Sequence, residues 1–145
     1  MIMRAVTAVV LAALAAAPAA AQDGGLLADE ALKAEFAGKT ITGYYLDTKV
    51  GFLEAYRADG RITYKDDLQA DLGRWWVAGQ LFCTFYDRIN GGCWYVRKVN
   101  ANCLEFFPQS TGLPLLPLDE QLAMRPDARA AREGEKVTCE AWLGS

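Results

Sequence analysis

FCTFYDRINGGCWYVRKVNANCLEFF, residues 82–107, places Cys83, Cys93 and Cys103 ten residues apart in an aromatic and β-branched setting. Turn-forming residues, Asn90-Gly91 and Asn100-Ala101-Asn102, separate its apolar runs, so the segment reads as three consecutive antiparallel strands. The cysteine rhythm is that of a strand plus a turn, repeated, and suggests a cross-linked β-meander.

The same pattern extends toward the N-terminus. From Thr40 onward, β-branched and aromatic residues dominate and turn signals recur about every ten residues. The expected strands are Thr40–Leu46, Gly51–Arg57, Arg61–Lys65, Leu72–Val77, Gln80–Asp87, Gly92–Val99, Asn102–Phe107 and Lys136–Trp142. Short links force neighbours to run antiparallel. Ahead of them, LLADEALKAEFAGK predicts one short amphipathic helix, with Asp29 as N-cap, Leu32 and Phe36 on its apolar face and Gly38 as its stop. Between Phe107 and Lys136 the pattern breaks among Pro108, Pro114, Pro117 and Pro126. Only PDARAARE, with proline at a helical first position and Gly134 beyond it, predicts order there, as a helix. A connection of this length either lies over the end of the domain or, with Leu113, Leu115, Leu116 and Leu118, acts as a lid or partner-binding segment across residues 109–135.

Alternation assigns faces. If Asn90-Gly91 is a two-residue turn, Leu81 and Phe85 share a face with Trp94 and Val96, and these four form core. In GRWWV the two tryptophans point oppositely, Trp75 inward and Trp76 outward.

The chain opens with MIMRAVTAVVLAALAAAPAAAQ: one cation, Arg4, an uncharged apolar run from Ala5 to Ala17, and the small-x-small site Ala19-Ala20-Ala21. This predicts a signal peptide over residues 1–21, too short to span a bilayer, which takes about 20 apolar residues. The rest, residues 22–145, forms one disulfide-linked β domain, with Gln22–Gly25 as a flexible lead and a soluble periplasmic or extracellular location. Cutting 21 of 145 residues leaves 124, with 14 basic against 18 acidic side chains, a net charge of −4. That balance argues against nucleic acid.

Four cysteines permit three pairings. Cys83 and Cys93 lie on strands joined by one turn and Cys103 is followed only by Cys139, which predicts Cys83–Cys93 and Cys103–Cys139. The two-residue turn sets Cys83 and Cys93 on opposite faces, so the first pair demands a bulge or a longer loop near Gly91-Gly92. In the chain-entropy account, loops of 11 and 37 residues stabilise by about 2.8 and about 3.8 kcal/mol.

The sequence contains no histidine, which removes Ser-His-Asp and Cys-His catalysis, imidazole metal sites and histidine-ligated haem. Neither Ser110 nor Ser145 lies in a GxSxG setting, no CxxC exists, and no glycine-rich phosphate loop opens a helix. No catalytic residue, metal ligand set or cofactor is expected. Among acidic groups, Asp66, Asp67 and Asp71 cluster in YKDDLQADLG without the order of a calcium loop, and Glu54 and Glu105 sit within strands. Aromatics interleaved with arginine are more suggestive. Trp76, Tyr86, Tyr95, Arg74 and Arg97 are the candidate ligand or partner contacts, through stacking and cation–π interactions.

GKTITGYY, the YRADGRITY hairpin, GRWWV and FC…CWYV together resemble small secreted proteobacterial proteins classed as domains of unknown function. The resemblance spans roughly Phe36 to Phe107. It implies a β-meander or lipocalin-like half-barrel, with Gly73-Arg74-Trp75 and the Cys83/Cys93 pair recurring, and it implies no activity. The expected fold is thus mainly β, an antiparallel meander of about eight strands forming a lipocalin-like barrel or half-barrel with a short N-terminal helix. The expected function is a non-enzymatic binding or interaction module whose partner is a small molecule or an envelope protein, with no membrane span. The alternatives are a periplasmic inhibitor of a cell-wall enzyme, a carboxylate-dependent hydrolase and a structural envelope protein. The cysteine assignment has a direct check: intact-mass measurement of the mature chain will show uptake of four hydrogen atoms on reduction, and a smaller gain refutes two disulfides.

Overall fold

The computed structural model describes residues 25–139; the expected signal peptide and the last residues of the expected strand Lys136–Trp142 lie outside that range. The elements run β1 (Gly25–Leu26), α1 (Asp29–Phe36), β2 (Lys39–Tyr45), β3 (Gly51–Tyr56), β4 (Arg61–Asp66), β5 (Ala70–Ala78), β6 (Leu81–Tyr86), β7 (Gly92–Asn100), β8 (Cys103–Pro108), a short α2 (Leu118–Ala123) and β9 (Ala128–Arg132). Strands β2 through β9 pair antiparallel around a closed eight-stranded barrel. The meander from β2 to β8 occupies seven places and β9 fills the eighth, between β8 and β2. Gly25, expected in a flexible lead, instead pairs with Lys98 as part of β1, beside β7.

Seven of the expected strands are present with ends within two residues of their predicted positions. Local alternation and turn chemistry suffice for these. The last two elements are corrections. PDARAARE is not a helix: Ala128–Arg132 is the closing strand, and Gly134 lies in the turn that follows it. Alanine favours helix in isolation, but here two unpaired strand edges flank the segment and pairing prevails. Small side chains also fit. A Cβ on Gly43, opposite Ala130, would stand 2.5 Å from the Arg129 carbonyl and 2.6 Å from the Phe52 ring, so β2 and β9 pack closely at that point. Within the described residues, Lys136–Cys139 is not a strand; Cys139 is tied to the β7–β8 turn by the Cys103–Cys139 disulfide and by Thr138 N–H donating to the Asn102 carbonyl.

Both predicted disulfides are present, and the Cys83–Cys93 hairpin resolves the register conflict. Cys83 pairs directly with Cys93, and the last β6–β7 pair is Thr84 with Gly92. Residues 85–91 therefore bridge the two strands in place of a two-residue turn. The change is odd in register, so it reverses the face of β6: Phe82, Thr84 and Tyr86 point inward and Phe85 is exposed. Val96 is core and Trp94 packs against the core as expected, whereas Phe85 is not core and Leu81 is half-buried. Trp75 is buried, with its indole N–H donating to the Arg57 carbonyl, and Trp76 is exposed.

α1 closes one end of the barrel. Leu32 and Phe36 are fully buried, and the Phe36 ring stacks on Phe82 and meets Tyr56 edge-on. Ala28 takes the N-cap position ahead of the helix and supplies no side-chain cap, so Asp29 is not the N-cap, while Gly38, at φ 73°, does end the helical run. Glu35 anchors the helix to the wall by accepting bonds from Lys98 on β7 and Arg132 on β9. Burial raises the Glu35 carboxyl, yet those two cations more than offset it and hold it below its ordinary value. A carboxyl lowered on folding stabilises at pH above its unfolded value of about 4.3 and gives that stability up as pH falls. In urea unfolding, Glu35→Gln will cost about 2 kcal/mol at pH 7, less than the 3–5 kcal/mol typical of a fully buried pair because Arg132 reaches solvent, and the difference will shrink toward pH 3. An equal difference at both pH values would refute this role.

Candidate barrel cavity

The end of the barrel opposite α1 holds the chemistry. The C-terminal end of β2, the start of β3 and the end of β6 meet there, and their inward rows enclose a cavity of about 160 Å³. Aromatic rings from Tyr45, Phe52, Phe82, Trp94 and Phe106 wall it, and Ile89, Asn90 and Asp127 lie at its rim.

Glu54 is the polar centre of this interior. It shares the inward row of β3 with Phe52 and Tyr56, and its two oxygens accept one phenol each, Tyr56 on Oε2 and Tyr86 on Oε1. Burial raises the Glu54 carboxyl, and the two phenols pull it back only in part. Burial and the neighbouring carboxyl push the phenols of Tyr56 and Tyr86 up as well, so both stay protonated as donors. Beside this cluster the Tyr45 hydroxyl donates to that of Tyr64, which donates to Asp66. One group is left over. Thr84, 4% exposed, lines the cavity, and its Oγ1 faces the Tyr86 phenol but makes no well-formed hydrogen bond. A buried hydroxyl without a partner costs about 1–3 kcal/mol. At the rim, burial raises the Asp127 carboxyl against the opposing pull of the Trp94 indole.

Of the five candidate contact residues, Tyr86 alone enters this cavity. Arg74 and Trp76 stand on the exposed outer row of β5, beside Phe85, and Tyr95 lies on β7 opposite Leu81 and Phe107. Arg97 is committed elsewhere on the outer face, where it bonds Glu105 and covers the Phe107 ring at 4.7 Å from its centroid. The acidic cluster has structural roles. Asp66 accepts the backbone N–H groups of Leu68 and Gln69, and Asp71 accepts those of Arg88 and Ile89, which holds the 85–91 loop in place. Within the 109–127 connection α2 contacts β8, and Gln121 pins the segment, its side chain bonding the Ser110 N–H and the Leu116 carbonyl; Leu113 and Leu115 remain exposed. Among the described residues no group of acidic and cysteine side chains is arranged to hold a metal, and no helix is long and apolar enough to cross a membrane.

Glu54 was legible as an acidic residue on an apolar row, FLEAY, whereas Thr84 and Asp127 carry no local signal. The chain matches no protein-family model, no curated protein and no solved structure.

The buried carboxyl makes a pH prediction. A carboxyl raised on folding contributes its full stability below the unfolded value of about 4.3 and loses it as pH climbs through the folded value. In thermal unfolding, the Tm of the wild type relative to that of Glu54→Gln will therefore fall as pH rises above about 4.3. Superimposable profiles from pH 4 to 8 would show that Glu54 does not titrate in this way.

Proposed function

We propose that the protein is a non-enzymatic periplasmic or extracellular binding module that takes a small molecule into the open end of its barrel. The observation that carries this reading is Thr84: its buried hydroxyl, without a well-formed hydrogen bond, lines an aromatic cavity beside a carboxyl already ordered by two phenols. A ligand that bonds Thr84 removes the desolvation penalty of that group, which gives the cavity a specific polar contact within apolar walls. The volume suits a single ring, since a cavity of about 150 Å³ accommodates benzene. Two disulfides in the described residues and the N-terminal leader pattern support an oxidising, exported location.

A second reading, a carboxylate-dependent hydrolase, draws on the presence of Glu54 and Asp127 on one cavity. Binding is favoured over it because both Glu54 oxygens are engaged by phenols, a geometry that orders the group rather than freeing it to exchange protons with a substrate. The test is NMR titration with benzyl alcohol as probe. Saturable shifts are expected at the amides of Thr84, Tyr86, Ile89 and Asn90 and at the Trp94 indole, and they will vanish in Ala128→Leu, which fills the cavity from β9. Shifts that persist in that variant, or none in the wild type, would refute cavity binding.

A further inference from the structure

The cavity has an unbalanced hydrogen-bonding inventory. Its phenol donors are spent within the protein, Tyr86 on Glu54 and Tyr45 on Tyr64, and the donors that remain, the Thr84 hydroxyl and the Asn90 amide, are neutral and also accept. Its acceptors remain open. Each Glu54 oxygen receives a single phenol proton and retains a further lone pair, Thr84 Oγ1 makes no well-formed hydrogen bond, and the Asp127 carboxylate stands at the rim. No lysine or arginine lines the space; Arg125 sits in the neighbouring groove beyond Asp127. An anionic ligand would therefore enter a desolvated site with two carboxyls and no countercharge, which is strongly unfavourable. A donor-only cation meets the opposite situation. The aromatic walls add to this, because the faces of Trp94, Tyr45 and the phenylalanines attract a desolvated cation.

We infer that the barrel cavity selects small organic ammonium ions carrying a single ring, with Glu54, Thr84 and Asp127 accepting the ammonium protons and the aromatic wall packing the ring. This rests on the reading of the barrel as a small-molecule binder and narrows it to one ligand class. Burial alone disfavours the ionised form of both carboxyls, and an ammonium restores the missing partner charge.

Three probes of nearly equal size separate the inferences: benzylammonium, benzyl alcohol and benzoate, titrated calorimetrically into the mature, disulfide-linked chain at pH 7.5. Benzylammonium is expected to bind about tenfold more tightly than benzyl alcohol, as a charge-assisted bond exceeds a neutral one, and benzoate not to bind measurably. Asp127→Asn at the rim and Glu54→Gln inside will each reduce that preference severalfold, while retained benzyl alcohol binding reports an intact cavity. Should Glu54→Gln fail to fold, Asp127→Asn and Thr84→Val carry the test. If benzyl alcohol binds as tightly as benzylammonium, or benzoate binds best, ammonium selectivity is overturned and the cavity reading stands. If none of the three binds, both are overturned.

Discussion

Strand β9 keeps the ring shut. All five of its residues pair with β2 on one side and three, Ala128 to Ala130, with β8 on the other, so that neither strand is left with a row of unpaired N–H and C=O groups. Its two arginines, Arg129 on the outer row and Arg132 on the inner row with Ala128 and Ala130, extend that hold. Arg129 bonds Glu105 on β8, which also accepts Arg97 from β7, and Arg132 reaches Glu35 on the end-closing helix. Two buried carboxylates, each shared between two cations, thereby connect β7, β8, β9 and α1. The alanines between the arginines matter as much, because Phe52 already fills the space at Gly43 and leaves room only for small side chains opposite.

Closure separates two environments. At the helix end, Phe36, Phe82 and Tyr56 pack ring against ring, and among the described residues the buried side-chain polar atom without a well-formed hydrogen bond, Thr84 Oγ1, lies in the cavity instead. At the other end a carboxyl and its phenols interrupt the apolar rows, and packing leaves a cavity. A buried carboxyl is tolerated where donors surround it, and the two tyrosines do this for Glu54. The unfilled hydroxyl of Thr84 is the point at which that satisfaction stops, which is why the site is read there and not among the more conspicuous outer aromatics Trp76 and Phe85.

Glycines adjust the same end. At Gly73 a Cβ would lie 2.1 Å from the Phe85 carbonyl, and at Gly91 one would lie 2.0 Å from that of Thr84. Both mark where the 85–91 loop folds back on β5 and β6. With Asp71 holding the backbone of Arg88 and Ile89, this loop sets one side of the cavity rim and fixes which face of β6 looks inward.

The amino-acid sequence determined the meander from β2 to β8, the inward Trp75 and outward Trp76, the apolar face of α1 and the pairing of the cysteines, because strand alternation, turn residues and helical spacing are local properties. Tertiary structure decided the rest. The two faces of β6 depended on whether two residues or seven joined it to β7, and the disulfide register, not the Asn90-Gly91 signal, selected seven. The helical propensity of ARAAR yielded to a gap in the ring that exists only after seven strands have curled toward closure. The cavity likewise joins Glu54 of β3, Thr84 and Tyr86 of β6 and Asp127 just ahead of β9, residues whose shared surroundings have no trace in any one segment. Proximity across a closed barrel is created by its curvature and register, and neither is written in the spacing of residues along the chain.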